Sequence, residues 1–157
     1  MFTKRLTQLQ ELAELPDQIN ATLADFPVQG TAWHPDAQTW SILMSVAHLY
    51  HSEAFMQQRF RRIITEHNPT LPGFGPDDAT PQTTLEFDEL LKAFHAVRME
   101  TLAILYELTP EDWSRPAVHA VQGETTLQLQ VQNMIDHDRE HLEQIHAVIQ
   151  QYSMEHS

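Results

Sequence analysis

Apolar residues recur along this chain at helical rather than strand spacing. Leu6, Leu9, Leu12, Ile19 and Leu23 mark a first helix over roughly 4–24, which Pro16 should kink or divide in two. Residues 26–38 carry two prolines and a glycine and read as a loop. A second helix is predicted from about Thr39 or Trp40 to Thr65, with Ile42, Val46, Leu49, Met56, Phe60 and Ile63 as its stripe. Leu43, Met44, Ala47 and Phe55 widen that stripe, and a helix apolar on several sides lies inside a bundle.

Residues 67–82 hold Pro69, Pro72, Pro76 and Pro81 with Gly73 and Gly75, which excludes helix and gives a connection long enough to cross a bundle. A third helix is predicted from the capping box Thr83-Thr84-Leu85-Glu86 to Leu108. Thr109-Pro110-Glu111-Asp112-Trp113 reads as one short capped turn, and residues 119–124 as a loop. A second capping box, Thr125-Thr126-Leu127-Gln128, opens a fourth helix that reaches about Tyr152. No strand and no repeat is predicted. The expected fold is all-α: a four-helix bundle with a long crossover connection between the second and third helices, as a single domain over 1–157.

Three charges fall inside apolar stripes. Glu53 sits on the beat of Leu49 and Met56, Arg98 on that of Phe94 and Leu105, and Asp138 between Met134 and Leu142. Burying an unpartnered charge costs several kcal/mol, so these positions imply pairing across the bundle or a carboxylate that orients a metal-binding histidine. Snorkelling at the stripe edge is an equal reading for Arg98.

His137 and His141 lie four residues apart, on neighbouring turns of one helix face, where two imidazoles reach a single ion. His48 would have to join them from another helix; alone it reads as a histidine flanking the core, and His51 points elsewhere. There is no glycine-rich phosphate loop, zinc-protease helix or nucleophile elbow.

Composition narrows the chemistry further. Nine basic against 22 acidic residues give a formal charge of −13, which argues against nucleic acid and anionic membrane surfaces as partners. The absence of cysteine excludes disulfides, thiolate metal sites and cysteine nucleophiles. No apolar run resembles a signal peptide or a membrane span, so a cytoplasmic location is expected.

Taken together, Trp40-Ser41-Ile42 leading to His48-Leu49 and Glu53, Phe94 and Arg98 followed by Leu102, Leu105, Leu108 and Glu111-Asp112-Trp113, and His137-Asp138-x2-His141-Leu142-x-Gln144-Ile145 resemble the DinB-like superfamily. The likeness runs from about Gln8 to Ile149. It implies a four-helix bundle, usually homodimeric, that binds one divalent metal through three histidines, here His48, His137 and His141. Imidazole nitrogen suits zinc, nickel, iron or copper, and zinc or nickel is expected here. The family is similar in fold to S-transferases that use low-molecular-weight thiols, which implies a small thiol and an electrophilic substrate as reaction partners. Glu53 or Asp138 would orient the ligands. Two alternatives stand beside that reading: a metal-dependent hydrolase, with His51 or Glu53 as base, and a metal-bound stress or binding protein without turnover. The substrate pocket is expected at the metal end of the bundle, roofed by residues 26–38 and 114–124, with Arg115 the one cation available in those loops.

Overall fold

The computed structural model describes residues 2–73 and 81–157. Four long helices form the bundle: α1 (Phe2–Thr22), α2 (Ile42–Thr65), α3 (Phe87–Tyr106) and, after the single turn α4 (Pro110–Trp113), α5 (Leu127–Glu155). Side-chain contacts give their directions. Glu53 meets Arg98 and Gln57 meets Thr101, so α2 and α3 run parallel. His48 meets His137 and Arg59 meets Gln130, so α2 and α5 are antiparallel. Gln8 meets Gln132 and Thr22 meets His146, so α1 runs with α5. The order is up, down, down, up. Two consecutive parallel helices need a connection that travels the length of the bundle, and the proline-rich stretch after α2 supplies it. Of that stretch, Gly75 and Pro76 lie outside the described residues.

Helix starts follow local chemistry. The Ser41 hydroxyl accepts from Met44 N and opens α2 two residues later than the apolar pattern predicts. Thr109 and Asp112 form a reciprocal capping box with Pro110 in the first turn of α4, as expected. The other two boxes do not form as predicted. Thr83 Oγ1 accepts from Leu85 N, and α3 begins only after Glu86. Thr126, not Thr125, caps α5 by accepting from Leu129 N. Pro16 does not divide α1, which is continuous through it.

The chain also forms strands, contrary to expectation. β1 (Thr70–Leu71), β2 (Pro116–His119) and β3 (Gly123–Thr126) make a small sheet in the order β1-β2-β3. β1 pairs parallel to β2 at Thr70↔Val118, and β2 pairs antiparallel to β3 at Val118↔Glu124. Segments of two to four residues are too short to show a two-residue alternation. The predicted loop at 119–124 is their hairpin turn, in which Gly123 takes φ +81° and His119 Nδ1 accepts from the amides of Val121 and Gln122.

The core has two apolar halves. At the sheet end, Leu12, Phe60, Ile63, Leu105, Trp113 and Val131 pack together. At the other, Ile19, Ile42, Val46, Leu90, Phe94 and Ile145 do. Between them lies a buried ionic layer. Arg98, 1% exposed, donates from Nε and Nη2 to Glu53 Oε1 (3.0 and 2.6 Å). It also donates from Nη1 and Nη2 to the two oxygens of Asp138 (2.9 and 3.0 Å) and from Nη1 to Leu12 O (2.9 Å). All five guanidinium N–H groups are thereby used. The remaining Glu53 oxygen accepts from Thr101 Oγ1 at 2.8 Å. The Leu12 carbonyl is available because its helical partner would be the amide of residue 16, and proline has none. The stripe-breaking charges are therefore paired across the bundle.

Burial pushes the Asp138 carboxyl up to about 6, with the Glu53 charge adding to the effect and Arg98 opposing it. Burial alone would lower Arg98, but the charges of Asp138 and Glu53 outweigh it and hold the guanidinium protonated.

Two outcomes follow. Arg98→Met strands two buried carboxylates and should cost about 3–5 kcal/mol in urea unfolding; a cost under about 1 kcal/mol would remove the ionic layer from this account. The raised Asp138 value means the folded state holds that proton more tightly than the unfolded chain, so the contribution is complete below about pH 4 and is lost as pH rises through 6. Metal-free protein should therefore lose stability relative to Asp138→Asn across that window, and parallel pH–stability curves would contradict the assignment.

Candidate metal centre

His48 stands on the second turn of α2, and His137 and His141 on successive turns in the middle of α5. Because α2 and α5 are antiparallel neighbours, these positions face one another. His48 Nε2 lies 3.0 Å from His137 Nε2, which lies 3.1 Å from His141 Nε2. The ligand atoms of all three fall within 4.8 Å of one another. His48 and His141 are each 6% exposed, while His137 is half-buried.

A ring nitrogen has one in-plane position, either a proton or a lone pair, so His137 Nε2 can serve only one of the two nitrogens it faces as a hydrogen-bond partner. A cation among the three relieves that conflict. The spacing fits as well: two nitrogens roughly 2.0–2.1 Å from one ion stand about 2.9–3.4 Å apart for angles from square to tetrahedral. His141 is preset for the task. Its Nδ1 lies 2.9 Å from Gln144 Oε1, an oxygen that only accepts, so Nδ1 carries the proton and Nε2 presents its lone pair.

The centre forms part of the wall of a cavity of about 430 Å³. Gln38, Thr39 and Trp40 line it from the segment before α2, Ser45 from α2, and Glu140 and Gln144 from α5. Trp40 lies parallel to the His141 ring at 6.0 Å and tilted against His48 at 5.1 Å. The loop that carries this wall is itself secured. Asp36 accepts from the amides of Gln38 and Thr39 and from the Thr39 hydroxyl, and these bonds, the hydroxyl first, hold its carboxyl below its usual range. Farther back, Trp33 and Phe26 pack edge-on to Tyr152 near the end of α5. A Cβ on Gly30 would come within 2.7 Å of the Phe26 ring, so the close approach needs glycine.

Several sequence expectations change here. Glu53 and Asp138 lie close behind the centre: with His137 they line a cavity of about 30 Å³, room for an ordered water. Their carboxylate oxygens, however, are taken by Arg98 and Thr101. His51 is exposed, packs near Tyr50 and does not line the large cavity. Residues 114–124 do not line it either. Arg115 donates to Ile63 O and Ile64 O, capping the C-terminus of α2, about 22 Å along that helix from His48. Sequence reasoning did not single out Ser45, Glu140 or Gln144 for the site. All three lie three residues from a ligand-type histidine, a spacing that shares a helix face and was readable.

Among the described residues no helix is long and apolar enough to cross a membrane. A protein of Oceanobacillus iheyensis named a candidate metal-dependent hydrolase is 28% identical over 109 residues, covering 68% of this chain and 63% of that protein. The chain thus spans under two thirds of that relative's length. A Bacillus cereus protein with the same kind of name is 25% identical over 137 residues, covering 86% and 79%. Among solved structures, YfiT from Bacillus subtilis, described as a candidate metal-dependent hydrolase with an unusual four-helix bundle topology, superposes with a TM-score of 0.80. That match covers 95% of this chain and 87% of YfiT at 18% identity, and shows the fold. The family profile of the DinB superfamily matches residues 11–145, nearly the whole bundle, and this chain belongs to that superfamily.

Proposed function

We propose that this chain is a metal-dependent enzyme in which His48, His137 and His141 hold one divalent ion, zinc or nickel, and that it hydrolyses a small substrate bound in the adjoining cavity. The observation that carries this reading is the convergence of three imidazole nitrogens on a cavity of about 430 Å³. An ion held by three neutral imidazoles supplies Lewis acidity and makes a nucleophile available near neutral pH. The chain's own groups do the rest. Gln144 fixes the His141 tautomer, Trp40 restrains two ligand rings, and the Asp36-tied loop forms the opposite wall. The names of the curated relatives support hydrolysis.

Thiol transfer is the second reading. It is favoured by the placement of Glu53 and His51, the bases expected for hydrolysis, neither of which lines the large cavity, where Glu140 is the one carboxylate among the described residues. A thiol held by such an ion would ionise without a protein base. An acidic thiol finds no cation on the wall, since Arg115 is bound elsewhere.

Protein purified without an immobilised-metal column should carry about one metal equivalent per chain. His141→Ala should lose most of it, and Gln144→Leu should weaken affinity by about 10–100-fold. Occupancy should fall as the medium is acidified, because an imidazole must be neutral to bind the ion. Full occupancy in His141→Ala would refute the ligand set. Turnover is read on a panel of esters and amides, alone and with a small thiol plus an electrophile. Metal-dependent cleavage without thiol supports hydrolysis; thiol-dependent consumption of the electrophile supports transfer and overturns it.

A further inference from the structure

Building on that metal centre, we propose that the ligand of the cavity carries a cationic group, which Glu140 recognises beside the atom that faces the three histidines. The positive charges of the chain lie away from this cavity. All nine lysines and arginines fall among the described residues, and none lines the cavity. Arg98 is spent in the ionic layer, Arg59 donates to Pro72 O and Gln130, and Arg62 pairs with Glu66. Arg139, next to Glu140 in sequence, turns away to Glu11 on α1. No lysine or arginine is therefore placed on the wall to pair with a carboxylate or phosphate.

Among the described residues Glu140 is the one acid that lines this cavity. It follows His137 by three residues and adjoins His141, so it shares the shoulder of α5 that carries both rings. The neutral lining groups, Gln38, Thr39, Ser45 and Gln144, offer hydrogen bonds without charge. The ion would attract an anionic atom to the three histidines, and Glu140 on its shoulder would offset part of that charge, so that a cationic group is favoured and an anionic one disfavoured on the Glu140 side of the cleft. Glu140 is exposed, so solvent screening limits the effect to severalfold.

The test uses cobalt-loaded full-length protein and three small thiols as metal-directed probes: thiocholine (cationic), 2-mercaptoethanol (neutral) and 2-mercaptoethanesulfonate (anionic). The quaternary nitrogen of thiocholine has no lone pair and cannot chelate. Sulfur binding is followed by the cobalt–thiolate charge-transfer band. Thiocholine should bind roughly three- to tenfold tighter than the sulfonate at low salt, with the gap narrowing as salt rises. Glu140→Gln should shrink the gap, and Glu140→Lys should reverse it, with the cobalt d–d spectrum unchanged in both. Equal affinities, or an unaltered gap in Glu140→Gln, with cobalt normally bound would overturn the charge preference alone. Failure of wild-type protein to bind cobalt, or a d–d spectrum unaffected by His141→Ala, would overturn the metal-centre reading and this proposal with it.

Discussion

One guanidinium stands where all four long helices meet. Arg98 comes from α3, its carboxylate partners Glu53 and Asp138 from α2 and α5, and its carbonyl partner Leu12 from α1. Apolar packing alone tolerates a helix sliding by a turn, because one aliphatic side chain substitutes for another with little loss. Five directed N–H bonds do not. A slip of one turn in any helix would leave a buried charge or carbonyl unpartnered, at a cost of several kcal/mol. The ionic layer thus sets register, while the apolar clusters on either side supply most of the burial.

The histidines inherit that register. Asp138 follows His137 directly in α5, and Glu53 lies five residues beyond His48 in α2. Pinning Glu53 and Asp138 to one arginine therefore places the two helices so that His48 faces His137 and His141. The carboxylates bear on the position of the rings through the backbone they fix, and the small cavity that they line with His137 has room for a water. On the opposite side, Ser41 ends the loop and starts α2, which leaves Trp40 just outside the helix and over the imidazoles. Two short-range devices, a buried salt-bridge layer and an N-cap, thereby shape both walls of the site.

Much of this was legible in the sequence, for a physical reason in each case. The long helices declare themselves by apolar spacing, the crossover by its prolines, and the charged layer by charges where aliphatic residues belong. The His137–His141 pair is local and readable; the arrival of His48 is not, because it depends on the direction and register of a distant helix. Partners on the backbone escaped as well. Nothing in a side-chain pattern shows that Pro16 frees the Leu12 carbonyl for Arg98, or that Arg115 serves the end of α2 rather than the pocket. Strands of two to four residues carry too little pattern to detect.

The central claim is that three imidazoles from two helices share one ion at the wall of the large cavity. Anomalous diffraction at a metal edge, from crystals of protein never exposed to a nickel column, tests it most directly. The account predicts one strong peak about 2.0–2.1 Å from Nε2 of His48, His137 and His141, with its open side toward Trp40 and Glu140. Absence of a peak among the three rings after soaking with zinc or nickel, or a peak held by other side chains, would contradict it.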